Sequence, residues 1–275
     1  MGNQQSGIQI LICDDTTAKK ELQKSEDIDR YRALCLGDRA NAGAREFFSY
    51  VPIHSSKNEF LQIENRLQHF CELVHPVLQS GLGIVKVIIL MPTADGGMPH
   101  TRAGAVICLP MTLSLMKLNT FEHELWHCHQ KRYSRWWKKF YEEKWNMTPW
   151  KGEFPSELAN QIRINPDTCE SGPMIWRQRW VAVPVFLSPT SPQLKDCAVW
   201  WWDNREKLIR KSSPPEWDQF FACNQVPAIA HEHPNELSAY YLGNLDTIGV
   251  QSTALVSLLK WLDNWQNEYK FMYDE

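Results

Sequence analysis

Apolar positions in this chain recur with two different periods. Runs rich in β-branched residues predict strands over Ile8 to Cys13, Ile84 to Met91 and Ala103 to Pro110. The Gly96-Gly97 pair marks Pro92 to Arg102 as the loop between the last two. Helical spacing takes over elsewhere. Phe60, Leu67, Phe70, Cys71, Val74 and Leu78 predict an amphipathic helix from about Lys57 to Gln79. Met111 to Trp145 contains neither Pro nor Gly, and Leu113, Met116, Leu118, Phe121, Leu125 and Trp126 give it an apolar surface of helical period. Leu255, Leu258, Leu259, Leu262 and Trp265 predict a packing helix over Ser252 to Met272. Between these lies a segment rich in Pro and Trp, Thr148 to Pro227, with strand-like Trp180 to Leu187 and the triplet Trp200-Trp201-Trp202.

The predicted helix after Met111 carries His123-Glu124-Leu125-Trp126-His127. Each helical residue turns about 100°, so the two histidines lie roughly 40° apart on one face and can reach one metal ion. Glu124 sits at the edge of that face, placed to take a proton from a water that the metal has acidified. His129 lies roughly 240° around the helix from His123 and belongs with the packing side, as does Cys128. A zinc site of the catalytic kind needs a third protein ligand and an open position. The second cluster of donors is His231-Glu232-His233-Pro234-Asn235-Glu236-Leu237-Ser238-Ala239-Tyr240-Tyr241, where Pro234 favours a helix start.

The strand-loop-strand-helix order and the His-Glu-x-x-His motif resemble the zincin metallopeptidases. Asn235-Glu236-Leu237-Ser238-Ala239 resembles the Asn-Glu-x-x-Ala pattern of the gluzincins among them. The resemblance implies an α+β, zincin-like fold, with a small mixed sheet, an active-site helix and a mainly helical C-terminal part. It implies a strand before the helix at the edge of the cleft, pairing with an extended substrate backbone. One Zn2+ per chain would be held by His123, His127 and Glu236. Glu124 would act as general base on the zinc-bound water and then donate a proton to the leaving amine. The oxyanion donor would come from Tyr240, Tyr241, His231 or His233, with Tyr240 and His233 put forward as catalytic residues. Glu232 or Asp246 would orient a metal-bound imidazole, and Ala239 would be small to let two helices approach. More than a hundred residues separate His127 from Glu236, a longer gap than in the best-known gluzincins. His231, Glu232 and His233, and more remotely Glu157 and Glu170, therefore stay open as third ligands.

Composition adds bounds. Of 275 residues, 43% are hydrophobic and 22% charged, enough to build a core in one catalytic unit. Its portions are 1–83 (N-terminal strand and helix), 84–147 (edge strands and active-site helix), 148–227 (the Trp/Pro-rich insertion) and 228–275 (third-ligand and closing helices). A net charge of -3 gives no reason to expect nucleic-acid binding. The basic cluster Lys131, Arg132, Arg135, Lys138, Lys139 reads as the solvated side of a helix. Eight cysteines without a Cys-x-x-Cys pair, and no cleavable signal segment, point to reduced thiols in a cytoplasmic protein. Met1-Gly2-Asn3-Gln4-Gln5-Ser6 fits the N-myristoylation pattern, and acylation of Gly2 would give reversible membrane association. The expected activity is zinc-dependent hydrolysis of a peptide or protein substrate. Two rival readings are a non-catalytic zinc-binding structural or interaction protein, for example a membrane-associated virion component, and a zinc hydrolase of a non-peptide amide.

Overall fold

The computed structural model describes residues 7–45, 49–53, 57–110, 117–222, 226–248 and 252–265. Gly2 and Ser6, and Leu113 and Met116 of the predicted active-site helix, lie outside the described residues.

The β-branched runs build one sheet beside the first helices. Its opening strand is β1 (Gln9–Ile12), followed by helices α1 (Asp15–Asp29), α2 (Tyr31–Leu36), α3 (Arg39–Gly43), α4 (Lys57–Leu73) and α5 (Pro76–Gly81). Then come β2 (Ile84–Leu90), β3 (His100–Arg102) and β4 (Val106–Pro110). The spatial order is β1-β2-β4-β3. The first three of these are mutually parallel, and β3 turns back antiparallel on β4 with Thr101 opposite Ile107. Parallel strands need cover on both faces, and successive residues divide accordingly. Val87 and Ile89 join the core containing α4 and α5, while Ile88 and Leu90 join the one containing Leu22, Tyr31 and Cys35.

Several boundaries differ from the periodic expectation, each for a local reason. The helix expected over Lys57 to Gln79 is cut in two because Pro76 disfavours helical backbone at the residue before it. His75 caps the second piece, its Nδ1 accepting from the Val77 N–H at 3.2 Å. The strand expected from Ala103 starts at Val106, since Gly104 and Ala105 both have positive φ and form the β3–β4 turn. The loop expected over Pro92 to Arg102 ends in β3, the sheet edge. The long Pro-free run forms α6 (Leu118–Arg132) and α7 (Ser134–Trp145), broken at Tyr133.

The Trp-rich segment folds into a second sheet, wholly antiparallel, in the order β5 (Met147–Pro149), β6 (Met174–Trp176), β7 (Trp180–Phe186), β8 (Cys197–Asp203), β9 (Leu208–Arg210). A single small mixed sheet is thus too simple a description, although the chain is mixed α+β. The remaining helices are α8 (Ser156–Ala159), α9 (Pro215–Phe221), α10 (Pro234–Gly243) and α11 (Thr253–Leu262). The last starts at its Ser252 cap as expected, and residues 266–272 of the predicted helix lie outside the described residues. Trp176, Trp180, Trp201 and Trp217 share one core with Val87, Leu125, Leu237 and Trp265, so both sheets pack on α6 and α10. Among the described residues no helix is long and apolar enough to cross a membrane.

The edge strand is pinned by a buried polar cluster. Arg102, fully buried, donates to both carboxylate oxygens of Asp29 at 2.7 and 2.8 Å, to Glu26 at 2.7 Å and to the Tyr50 hydroxyl at 3.0 Å. Removing one partner of a buried pair leaves an uncompensated charge. Arg102→Met is expected to cost about 3–5 kcal/mol of stability, measurable as a lower midpoint in urea unfolding; an unchanged midpoint would show that Asp29 is compensated without it.

Candidate metal centre

α6 and α10 cross closely. A Cβ added at Gly243 would stand 3.0 Å from the Asn119 carbonyl and 3.6 Å from the His123 Cβ, so glycine permits the approach. Ala239, expected to serve that purpose, is fully buried. The crossing brings together the three residues singled out as ligands. His123 Nε2 lies 2.9 Å from His127 Nε2, and Glu236 Oε2 lies 3.3 Å from the first and 3.5 Å from the second. A tetrahedral ion with bonds of roughly 2.0–2.1 Å separates its ligand atoms by about 3.3 Å. The spacing fits, and His123, His127 and Glu236 form a cluster that could hold a metal ion.

Two amides set the orientation of this cluster. Gln130 Nε2 donates to the Asn235 carbonyl at 2.9 Å and to Ser238 Oγ at 3.0 Å, which turns its Oε1 toward His127 Nδ1 at 2.8 Å. An amide oxygen only accepts, so Nδ1 carries a hydrogen and Nε2 is the nitrogen that offers a lone pair to a metal ion when the ring is neutral. Asn165 Nδ2 donates to Glu236 Oε1 at 2.7 Å and to Glu232 Oε1 at 2.5 Å. Glu236 therefore has one oxygen engaged and turns the other to the histidines. The expectation that Glu232 or Asp246 orients an imidazole is not met. Glu232 is held by Arg163 Nη2 at 2.5 and 2.7 Å, and Asp246 is exposed beside a different cavity.

Electrostatically the cluster asks for a cation. Burial pushes the His127 pKa down, but Glu236 and Asp167 outweigh it and raise it to about 10. Burial works against the Glu236 charge, yet His127 and His123 hold its pKa well below the ordinary range. Glu124 is buried and its Oε2 has no hydrogen-bond partner among the described residues. Burial, then the neighbouring Asp167 charge, push its pKa well up. His123, Glu124 and Glu236 line one cavity of about 160 Å³ together with Arg45, Asp95, His100, Arg163 and Asp167.

The other expected residues stand elsewhere. His233 is the N-cap of α10, Nδ1 accepting from the Asn235 N–H at 3.1 Å and Nε2 facing the Gly172 carbonyl at 3.2 Å. With both nitrogens engaged and burial lowering its pKa to about 4, it has no N–H left for an oxyanion. Tyr240 is half-buried against the core, and neither it nor His233 lines the 160 Å³ cavity. Tyr241 donates to the Phe221 carbonyl. His231 Nδ1 accepts from Trp217 Nε1 at 3.0 Å. Glu157 is exposed on α8, and Glu170 pairs with Lys131 at 3.4 Å. His129 packs as expected, accepting from Trp137 Nε1 at 3.0 Å with its ring centroid 4.5 Å from that of Trp265. The sequence reading missed Gln130, Asn165, Asp167 and Arg163; only Gln130, three residues after His127 on the same helix, had a positional signal.

The edge strand also differs from expectation. The Thr101 N–H, pointing away from β4, donates to Asp167 Oδ1 at 2.6 Å, and the Thr101 hydroxyl donates to the same oxygen at 2.7 Å. The backbone donor that an extended substrate would use is occupied by the chain itself.

No protein-family model, curated protein or solved structure matches this chain. Fold and site together describe a mixed α+β protein with a three-residue cluster able to hold a metal ion. Gln130→Leu is expected to weaken affinity for added Zn2+ by about 10–100-fold, read by competition with a chelator; unchanged affinity would refute its orienting role.

Proposed function

We propose that the chain is a zinc-dependent peptidase, zincin-like in its first sheet and gluzincin-like in its ligand set. The carrying observation is the juxtaposition of the His123–His127–Glu236 triangle with Glu124, whose buried Oε2 has no hydrogen-bond partner among the described residues. Two imidazoles and one carboxylate are a ligand set typical of catalytic zinc. When bound, the ion supplies acidity to a coordinated water and polarises the scissile carbonyl. The chain does the rest. Gln130 and Asn165 hold the ligands in register, the cavity walls limit water, and Glu124 accepts a proton and passes it to the departing nitrogen. The same residues suit hydrolysis of other amides; a peptide is favoured because the strand-loop-strand-helix order leading into His123 resembles that of the zincin peptidases.

Protein purified without added metal should contain close to one zinc per chain, and Glu236→Ala should lose most of it. Glu124→Gln should keep the zinc and lose about 10²–10⁴-fold in hydrolysis of a mixture of short peptides, followed by the appearance of new amino groups. A folded wild type that takes up no zinc sinks the proposal. Zinc with undiminished hydrolysis in Glu124→Gln removes Glu124 from the mechanism, and zinc without hydrolysis favours the non-catalytic reading.

A further inference from the structure

The cavity beside the ligand triangle is small, and the sheet edge next to it is covered by the chain itself. Its volume of about 160 Å³ falls below the ~300 Å³ at which pockets for drug-sized ligands begin. The cover comes from residues 163–167, which are tied down along their length. Arg163 pairs with Glu232 at 2.5 Å, and the Ile164 N–H donates to Asn41 Oδ1 at 2.8 Å. Arg45 Nη2 reaches the Ile164 carbonyl at 2.5 Å. Asn165 bridges Glu232 and Glu236, Lys131 Nζ donates to the Pro166 carbonyl at 3.2 Å, and Asp167 holds Thr101. A segment with this many buried polar anchors is a fixed wall, not a plug that a substrate strand displaces.

Charge then decides which end of a chain the cavity suits. The cationic groups lining it are already matched: Arg45 to Asp95 at 3.0 Å, His100 to Asp95 at 3.5 Å, Arg163 to Glu232. Of the acids, Glu236 faces the histidines, Glu124 is the proton carrier and Glu232 is held by Arg163 and Asn165. Asp95 gives Oδ1 to Tyr31 and Arg45, and its Oδ2, without a hydrogen-bond partner among the described residues, is sealed from solvent 3.5 Å from His100 Nε2. Asp167 is only 8% exposed, and with Oδ1 taken by Thr101 its Oδ2 makes no hydrogen bond among the described residues. A terminal carboxylate would meet no unpaired cation there; a terminal ammonium would meet a preset carboxylate oxygen.

We propose that the site takes short peptides by their protonated amino terminus, with Asp167 Oδ2 as its acceptor, and removes residues from chain ends instead of cutting within an extended chain. The inference rests on the peptidase reading above. Hydrolysis adds one water across the amide. The C–N bond breaks, a C–O bond forms, Glu124 returns the proton to the leaving nitrogen, and the terminal ammonium keeps its protons throughout.

The test is calorimetric titration of zinc-loaded, full-length Glu124→Gln protein with alaninamide and with N-acetylalaninamide. The amine should bind at least about tenfold tighter, the scale of one charge-assisted hydrogen bond. Adding Asp167→Asn, which keeps an oxygen for Thr101, should bring the two ligands within about twofold of each other. Equal or absent binding of both in zinc-loaded protein, or an amine preference that survives Asp167→Asn, overturns the inference and leaves the peptidase reading standing. Protein that holds no zinc sinks both. The first comparison needs no Asp167 variant, so a misfolded double variant leaves the test intact.

Discussion

The constraint on which the rest of the structure depends is the burial of five carboxylates around one cavity. Asp95, Glu124, Asp167, Glu232 and Glu236 are each less than one-tenth exposed, and an isolated buried carboxylate is too costly to keep ionised. The chain compensates four of them from distant segments. Arg45 and Tyr31 serve Asp95, Thr101 serves Asp167, Arg163 and Asn165 serve Glu232, and the two histidines with Asn165 serve Glu236. Glu124 receives no such donor on its Oε2, which has no hydrogen-bond partner among the described residues. Neutralising so many acids takes donors from α2, β3, α6 and the segment after α8. Those elements are thereby fixed relative to one another, and the Trp-rich segment becomes a wall of the site.

Helical period made the first half of the site legible. His123, Glu124 and His127 depend only on an uninterrupted helix, and α6 supplies it from Leu118 to Arg132. Glu236 was readable as part of a five-residue pattern behind a helix-starting proline. Tyr240 and His233 came from nearness in sequence, which does not fix direction. Tyr240 lies one turn beyond Glu236 on α10 and packs on the core, while His233 stands before the first turn, where its ring satisfies an orphan N–H. Asn165 and Asp167 were illegible because they act from an irregular segment 71 and 69 positions before Glu236 (236 − 165 and 236 − 167). No period or motif marks a loop residue for a partner so far along the chain.

The fold shows the same division. Strands and helices with a strong period were found in place, and their ends moved where a single residue intervened: Pro76 splitting a helix, Gly104 and Ala105 delaying a strand. The second sheet was harder to anticipate because its strands carry unusual residues. Trp200, Trp201 and Trp202 alternate faces in β8. Trp201 packs with Trp217 in the main core, and Trp200 and Trp202 with Val181 and Val183 in a separate cluster. A Trp triplet therefore reads as one strand buried on both faces, with no need of a recognition surface.

An unpaired edge strand is an open row of donors and acceptors, a hazard for pairing with other chains, yet in a peptidase of the expected kind it is also where substrate lies. Here β3 is only three residues long and wholly buried, anchored behind by Arg102 on Asp29 and covered in front by Asp167. The cover protects the edge and shortens the cleft at once. A chain that had to admit an extended segment at β3 would need the segment after α8 to be loosely held; instead that segment carries the donors that neutralise Glu232 and Glu236. Opening the edge would strip those acids of their partners, so the electrostatics that hold His123, His127 and Glu236 together also keep the edge covered.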